Sequence, residues 1–429
     1  MGNYSKGKKN IAITGAGAAG LVAAFFALKA GHSVTVYEKN EIAGKKLRIT
    51  GNGRCNFTNE DMSVSHYGHF RLSCECSEND ADEAFRAICE RDTDLNKIAA
   101  ILKKNGKEEY IAFLNRCGIP CFQKNGYYYP LSERAGEMTD ILVKILIRNG
   151  VKFRFRENIR SIERSADGKF LISGEKYDAV ILACGGKAFP STGSDGGGFK
   201  IAREFGHTVG YTYPVLVPLK ADPAILKMIS GVRIKAVAYG LIDGKTITSD
   251  RGEVQFTDTT ISGIPVFQLS RHLTKAIEEK KDVRIRLDVL PDVEDETAEE
   301  FVLYRKKLLS GASFEELFEG IFPKKYYEML LKQYHLNRNN PNQNEPDQNE
   351  TDFIRFSKKF EFRITGHTGY ENAQCTRGGV PLSEVKENLE SAKIPDLYII
   401  GEMLDVDGDC GGYNLQWAFS SGKTAGENV

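Results

Sequence analysis

The chain holds 429 residues, with 58 Lys and Arg balanced by 58 Asp and Glu, 41% hydrophobic residues, 42 Gly and 9 Cys. At roughly 100–200 residues per domain this is material for two or three independently cored domains, which excludes a stapled mini-protein. A net charge of zero leaves no global field to hold nucleic acid or an anionic membrane, which excludes a histone-like binder.

From the start of the chain, Lys6, Lys8 and Lys9 precede an apolar stretch, Ile11 to Leu28, that imitates a secretory signal. Its three glycines and the strand pattern behind it argue against one. Met1-Gly2 carries Lys6 where a myristoylation site needs Ser or Thr, and no later segment approaches the roughly 18 consecutive apolar residues of a membrane helix. The odd cysteine count, spread from Cys55 to Cys410, fits a reducing compartment better than a disulfide framework. The expectation is a cytoplasmic protein with no membrane partner. Cys117 and Cys121 have no matching second pair of ligands, so no metal is expected.

Ile11-Ala12-Ile13-Thr14 reads as a buried strand, Leu21 to Ala30 as an Ala-rich helix closed by Gly31, and Ser33 to Tyr37 as a second strand. The turn between the first two is Gly15-Ala16-Gly17-Ala18-Ala19-Gly20. In a G-x-G-x-x-G placed there, the first glycine permits a tight turn, the second lets backbone N–H groups approach a pyrophosphate, and the third lets helix and strand pack closely. Glu38 closes the second strand, where a carboxylate binds ribose hydroxyls of adenosine and repels a 2′-phosphate. Together they point to a dinucleotide. The basic, glycine-rich loop from Ala43 to Asn56 can run beside the diphosphate toward an isoalloxazine ring; the alternative is a solvated basic loop. Cys55 has no cysteine close behind it, which disfavours disulfide-reductase chemistry.

Asp80 to Gly118 is helical in character and Met138 to Ile147 supplies another helix. Strand patterns follow at Val151 to Phe155, on both sides of an Asp167-Gly168 hairpin signal, and at Tyr177 to Cys184. Tyr127-Tyr128-Tyr129 reads as a packing strand rather than a base stack. From about Val215 separated β-like runs and an acidic helical run, Glu294 to Ser310, mark an inserted domain, and Asn337 to Asp352 reads as a disordered polar loop. A buried strand at Leu397 to Ile400 and a helix from Asn414 to Ala425, opened by Gly411-Gly412, restore the first texture. Gly193 to Gly198 has the wrong spacing for a second dinucleotide turn, so a nicotinamide reductant would visit transiently. Ser194, Asp258 and His367 lack a G-x-S-x-G elbow, which disfavours hydrolysis.

Three segments resemble one family: Gly51-Asn52-Gly53-Arg54-Cys55-Asn56-Phe57-Thr58-Asn59, Gly185 to Gly196, and the tail Gly401 to Ala418 containing Asp407-Gly408-Asp409-Cys410-Gly411-Gly412-Tyr413-Asn414. They look like the BaiN/RdsA family of FAD-dependent oxidoreductases, also called YhiN-like or aminoacetone-oxidase-like, and the likeness runs from residue 11 to the end. It implies an α/β fold: a discontinuous Rossmann-like FAD-binding domain, residues 8–214 and 356–429, interrupted by a β-rich and helical substrate domain, 215–355. It implies FAD contacts from Gly15, Gly17, Ala18, Ala19, Gly20, Glu38, Lys39, Lys46, Gly53, Arg54, Cys55, Asn56, Ile159, Gly185, Gly186, Gly401, Glu402, Asp405, Asn414 and Leu415. Catalytic candidates are Arg54, Cys55, Arg377 and Tyr413. Arg377 departs from the family's small residue and would add a charge near the pocket mouth. The tail helix would aim its N–H groups at the flavin N1/O2 locus and stabilise negative charge on the reduced ring. Glu402 or Asp405 would accept from ribitol or diphosphate-bound water.

The implied function is reduction of a conjugated C=C bond in a small 3-oxo-Δ4,6 bile-acid-like molecule, with NAD(P)H as transient reductant. Alternatives are reduction of ribosomal RNA uridine to dihydrouridine, oxidation of an aminoacetone-type amine, and an RNA-binding flavoprotein without turnover. For RNA, Lys324-Lys325-Tyr326-Tyr327 and Arg355 to Arg363 offer basic-aromatic patches, more often solvated faces.

Overall fold

In the computed structural model, residues 7–68, 93–338 and 350–429 are described. The chain divides into two compact units, Met1–Pro214 with Ala373–Val429, and Val215–Asn372. Among the described residues no helix is long and apolar enough to cross a membrane.

The first unit is built on a five-stranded parallel sheet. Strand β1 (Asn10–Thr14) lies between β2 (Ser33–Glu38) and Ala179–Leu182, with Lys152–Phe155 outside β2 and Leu397–Ile399 outside Ala179–Leu182. Ile11, Ala12, Ile13, Val180 and Ile181 are fully buried, as strands covered on both faces must be. Each such Ile or Val contributes about 1.5–3 kcal/mol. Helix α1 (Ala18–Lys29) is apolar nearly all round because a second helix, Tyr413–Asn428, lies along it. Gly422 and Gly426 let the two backbones touch: a Cβ on either would sit 2.5–2.6 Å from the carbonyl oxygens of Ala19 and Ala23.

Of the helical run expected from Asp80, residues 80–92 lie outside the described residues. The rest is two helices, Thr93–Lys104 and Lys107–Arg116, broken at Asn105-Gly106. The Asp167-Gly168 turn joins Glu163–Arg164 to Phe170–Ile172 as expected.

The second unit is a closed six-stranded barrel in the order Leu219–Ala221, Thr260–Ser262, Lys245–Phe256, Arg233–Ile242, Val283–Asp288 and Phe360–His367, every pair antiparallel. Asp243-Gly244, both with positive φ, makes the two-residue turn of its long hairpin. The unit therefore runs to Asn372 and not to residue 355, because Phe360–His367 is the strand that closes the barrel. Both ends of the segment expected to be a disordered polar loop, Asn337 to Asp352, are helical. Residues 337–338 end the helix Lys324–Arg338 and 350–352 begin the helix Glu350–Lys358, while 339–349 lie outside the described residues.

Candidate functional site

The turn after β1 is shaped for an anion. Gly15 has φ +103°, and a Cβ there would strike the Ala183 carbonyl. The first bond of α1 runs from the Leu21 N–H to the Gly17 carbonyl at 3.0 Å, so the N–H groups of Ala18, Ala19 and Gly20 precede the ladder. A Cβ on Gly17 would meet nothing within 4 Å; the positive end of the helix faces open space. Beside it Glu38, 8% exposed, accepts from the Ala16 N–H through Oε2 (2.9 Å) and from the Asn40 backbone and side-chain N–H groups through Oε1 (2.8 and 2.7 Å). A carboxylate offers about four acceptor sites, so Oε2 keeps one for a ribose hydroxyl. An open cradle of N–H donors with an acceptor at the end of the next strand fits the diphosphate and adenosine ribose of FAD.

Around this cradle the expected basic residues pair with carboxylates. Lys39 meets Asp195 at 2.8 Å, Lys46 meets Glu402 at 2.9 Å and Arg48 meets Asp140 at 2.5 Å. Glu402 also accepts from the Thr376 N–H at 2.7 Å, and the Thr376 hydroxyl accepts from Lys187 and Ala188 N–H groups at 2.8 and 3.0 Å. Gly186 leaves room for that hydroxyl, which a Cβ would approach to 2.5 Å, and Gly185 adjoins Ser194. Gly186 thus docks the strand Cys375–Arg377. Glu402 is already shared by two protein donors, and Asp405 accepts from the Gly378 N–H at 3.0 Å. Ile159 is half-buried against the core of the sheet.

The next loop carries φ > 0 at Gly51, Asn52, Gly53 and Cys55. Its catalytic candidate Cys55 is fully buried in one cluster with Leu47, Phe57 and Tyr110. Burial pushes the thiol up to about 12, which disfavours the thiolate that a nucleophile needs. Arg54 is exposed, and a Cβ on Gly53 would face open space. Asn56, with its amide oriented to suit its neighbours, donates to the Thr58 and Tyr128 carbonyls.

In the tail, Gly412 (φ +98°) caps the helix Tyr413–Asn428. Trp417 donates to the Gly401 carbonyl at 3.1 Å, and the Gly401 N–H donates to the Ser421 hydroxyl at 3.0 Å. Asn414 accepts from the Gly408 N–H at 2.8 Å and donates to the Gly408 and Asp409 carbonyls; its side chain fixes the loop, while Leu415 packs on the cluster around Phe419. Tyr413 is buried, its ring stacked on His66 at 4.4 Å, and burial raises its phenol, which keeps it protonated. Arg377 does not reach a pocket mouth as a free charge. It is 4% exposed and forms a two-point ion pair with the buried Asp407, at 2.8 and 2.9 Å, as a buried guanidinium must.

Sequence reasoning missed His66. Its ring nitrogens meet Asp409 at 2.9 Å and Asp61 at 3.1 Å, a pairing across 343 positions that no local signal reveals. It also read Tyr127-Tyr128-Tyr129 as a packing strand. Tyr128 donates to Glu60 at 2.5 Å, whereas a Cβ on Gly411 would lie 3.0 Å from the Tyr127 ring, which places Tyr127 beside the start of the tail helix.

The family described as HI0933-like protein Rossmann domain matches residues 9–428. A curated relative, the 3-dehydro-bile acid delta(4,6)-reductase of Clostridium scindens, is 38% identical over 423 residues, covering 97% of this chain and 98% of that protein. The ribosomal RNA dihydrouridine synthase of Haemophilus influenzae is 28% identical, covering 98% of this chain and 97% of that protein. Among solved structures, the 3-ketosteroid-delta4-(5alpha)-dehydrogenase of Rhodococcus jostii RHA1 superposes with a TM-score of 0.50 at 15% identity, over 98% of this chain and 96% of that one, which is a likeness of fold. The chain therefore belongs to the HI0933-like, BaiN-type family, and it is an FAD-dependent oxidoreductase with NAD(P)H as reductant.

Proposed function

We propose that this protein reduces a C=C bond conjugated to a carbonyl in a small, steroid-like molecule. The observation that carries the reading is the near end-to-end likeness to a protein named for delta(4,6) reduction of 3-dehydro-bile acids. The site agrees with it. Bound FAD supplies hydride transfer. The chain holds the diphosphate on the N-terminus of α1 and the ribose on Glu38, and the tail helix sets its N–H groups where negative charge gathers. We place the protein in the cytoplasm, in keeping with six free cysteines among the described residues.

A second reading, reduction of uridine in ribosomal RNA, is favoured by the names of the Haemophilus influenzae and Escherichia coli relatives. The patches expected to meet RNA do not support it. Tyr326 is fully buried, and Lys358, Lys359 and Arg355 pair with Asp288, Asp295 and Asp352.

Anaerobic stopped-flow separates the two. The holoenzyme is reduced with NADH or NADPH and then mixed with a 3-oxo-Δ4,6 steroid or with ribosomal RNA. Rapid reoxidation by the enone is expected; reoxidation by RNA alone would replace this reading with the second.

A further inference from the structure

The acidic helical run of the second unit forms the helix Ala298–Leu308, and one face of it holds it down. Ala298 and Val302 are buried there, Phe301 is half-buried, and Arg305 donates to the Leu317 and Glu319 carbonyls at 2.6 and 3.0 Å. Those four positions, i, i+3, i+4 and i+7, are the core stripe of an amphipathic helix. Lys306, to one side of them, reaches Glu350 at 2.7 Å.

The opposite face is apolar as well. Leu303 is 57% exposed, Tyr304 62% and Leu308 62%, and no other helix or strand among the described residues leaves more than one large apolar side chain over half exposed. Together with Glu300 and Lys307, both exposed, they fall at i, i+3, i+4, i+7 and i+8, a second stripe along the solvent side. A helix that only covers a core carries polar residues there.

The order of that stripe is its own complement. Glu300 and Lys307 stand at equal distances from the midpoint between Leu303 and Tyr304. Lay a second copy of the helix antiparallel across a two-fold axis through that midpoint, and Glu300 of each copy faces Lys307 of the other, while Leu303 of each faces Tyr304 of the other. The acidic first turn, Glu299 and Glu300, then lies against the basic last turn, Arg305 to Lys307, as the two helix dipoles also prefer. The same charges disfavour other occupants. A helix lying in a lipid surface keeps acids away from its apolar side, and Glu299 and Glu300 would repel a phosphate backbone.

We propose that this stripe is a self-association surface, through which two copies of the chain pair by their second units in an isologous, two-fold contact. One helix against its copy sits at the small end of specific interfaces, below about 1,200 Å² in total, so the dimer forms as concentration rises and comes apart on dilution.

Sedimentation equilibrium of the FAD-loaded protein tests this. The mass is expected to climb from that of one chain toward that of two between about 1 and 200 μM, the range of a small interface. Glu300→Lys and Lys307→Glu each set like charges face to face twice, and each should weaken pairing at least about 10-fold; the double variant, with the signs exchanged, should return to within about 3-fold of the parent. Leu303→Ser with Leu308→Ser should hold the chain monomeric throughout. All four side chains are exposed, so FAD content and thermal midpoint should not move. A parent that stays monomeric overturns the proposal, as does a dimer indifferent to either charge reversal or one that the double variant fails to restore. A monomer that instead sediments with anionic phospholipid vesicles, and ceases to with the two serines, would give the surface to a membrane.

Discussion

Lys46 and Glu402, 356 positions apart in the chain, meet as an ion pair 2.9 Å long. The pair joins the loop after β2 to the tail, and through the Thr376 N–H it also holds the strand Cys375–Arg377. Glu402→Ala leaves an ammonium and a backbone N–H without their acceptor. A loss of about 2 kcal/mol in urea unfolding is expected, together with weaker FAD retention. An unchanged midpoint would mean that water replaces the carboxylate at no cost.

Glu38 is placed for adenosine, which FMN lacks. Glu38→Ala should weaken FAD binding by about 1–3 kcal/mol, roughly 5- to 150-fold, as read by fluorescence on titrating the apoprotein with FAD. Equal affinity would mean that the ribose is held elsewhere.

Cys55→Ser puts a hydroxyl into an apolar cluster, and a stability loss of about 1–3 kcal/mol is expected with turnover largely kept. Abolished turnover in a folded, FAD-loaded variant would return the thiol to the chemistry. The same burial gives a pH signature. The thiol's ordinary value of 9.0 is raised to about 12 in the folded protein, so its contribution is complete below pH 9 and is lost as the pH climbs from 9 to 12. Cys55→Ala should flatten that part of the alkaline stability profile; an identical profile would show that the thiol already meets solvent.

In the barrel unit, the hydroxyl of the fully buried Tyr326 has no hydrogen-bond partner among the described residues. Tyr326→Phe removes an unsatisfied polar group without opening a cavity. Urea unfolding should find the variant as stable as the parent or about 1 kcal/mol more so, while a clear loss would reveal a partner, such as a trapped water.

What could be read from the sequence was what is local. The β-α-β opening needs only the period of Ile11 to Leu28 and the glycines between, and Gly411-Gly412 announces the tail helix one residue before it starts. Features made by distant partners were hidden. Arg377 looked like a free charge because Asp407 reaches it only through the fold. Lys324 to Tyr327 looked like a basic-aromatic surface because the helical turn that buries Tyr326 and leaves Lys324 and Lys325 exposed cannot be told from a loop in four residues. The end of the insert was misjudged for the same reason, since Phe360–His367 becomes a barrel strand only by pairing with Leu219–Ala221 and Val283–Asp288.

The interlocking of α1 with Tyr413–Asn428 through Gly422 and Gly426 sets an order of assembly. During synthesis the turn that cradles the diphosphate emerges within the first few dozen residues, but the helix that packs along α1 and the sheet's outer strand, Leu397–Ile399, emerge some 400 residues later. At about 5–20 residues per second the nascent domain waits at least ~20 s with the apolar flank of α1 uncovered. Full burial of α1 is therefore among the last steps by which this unit is completed.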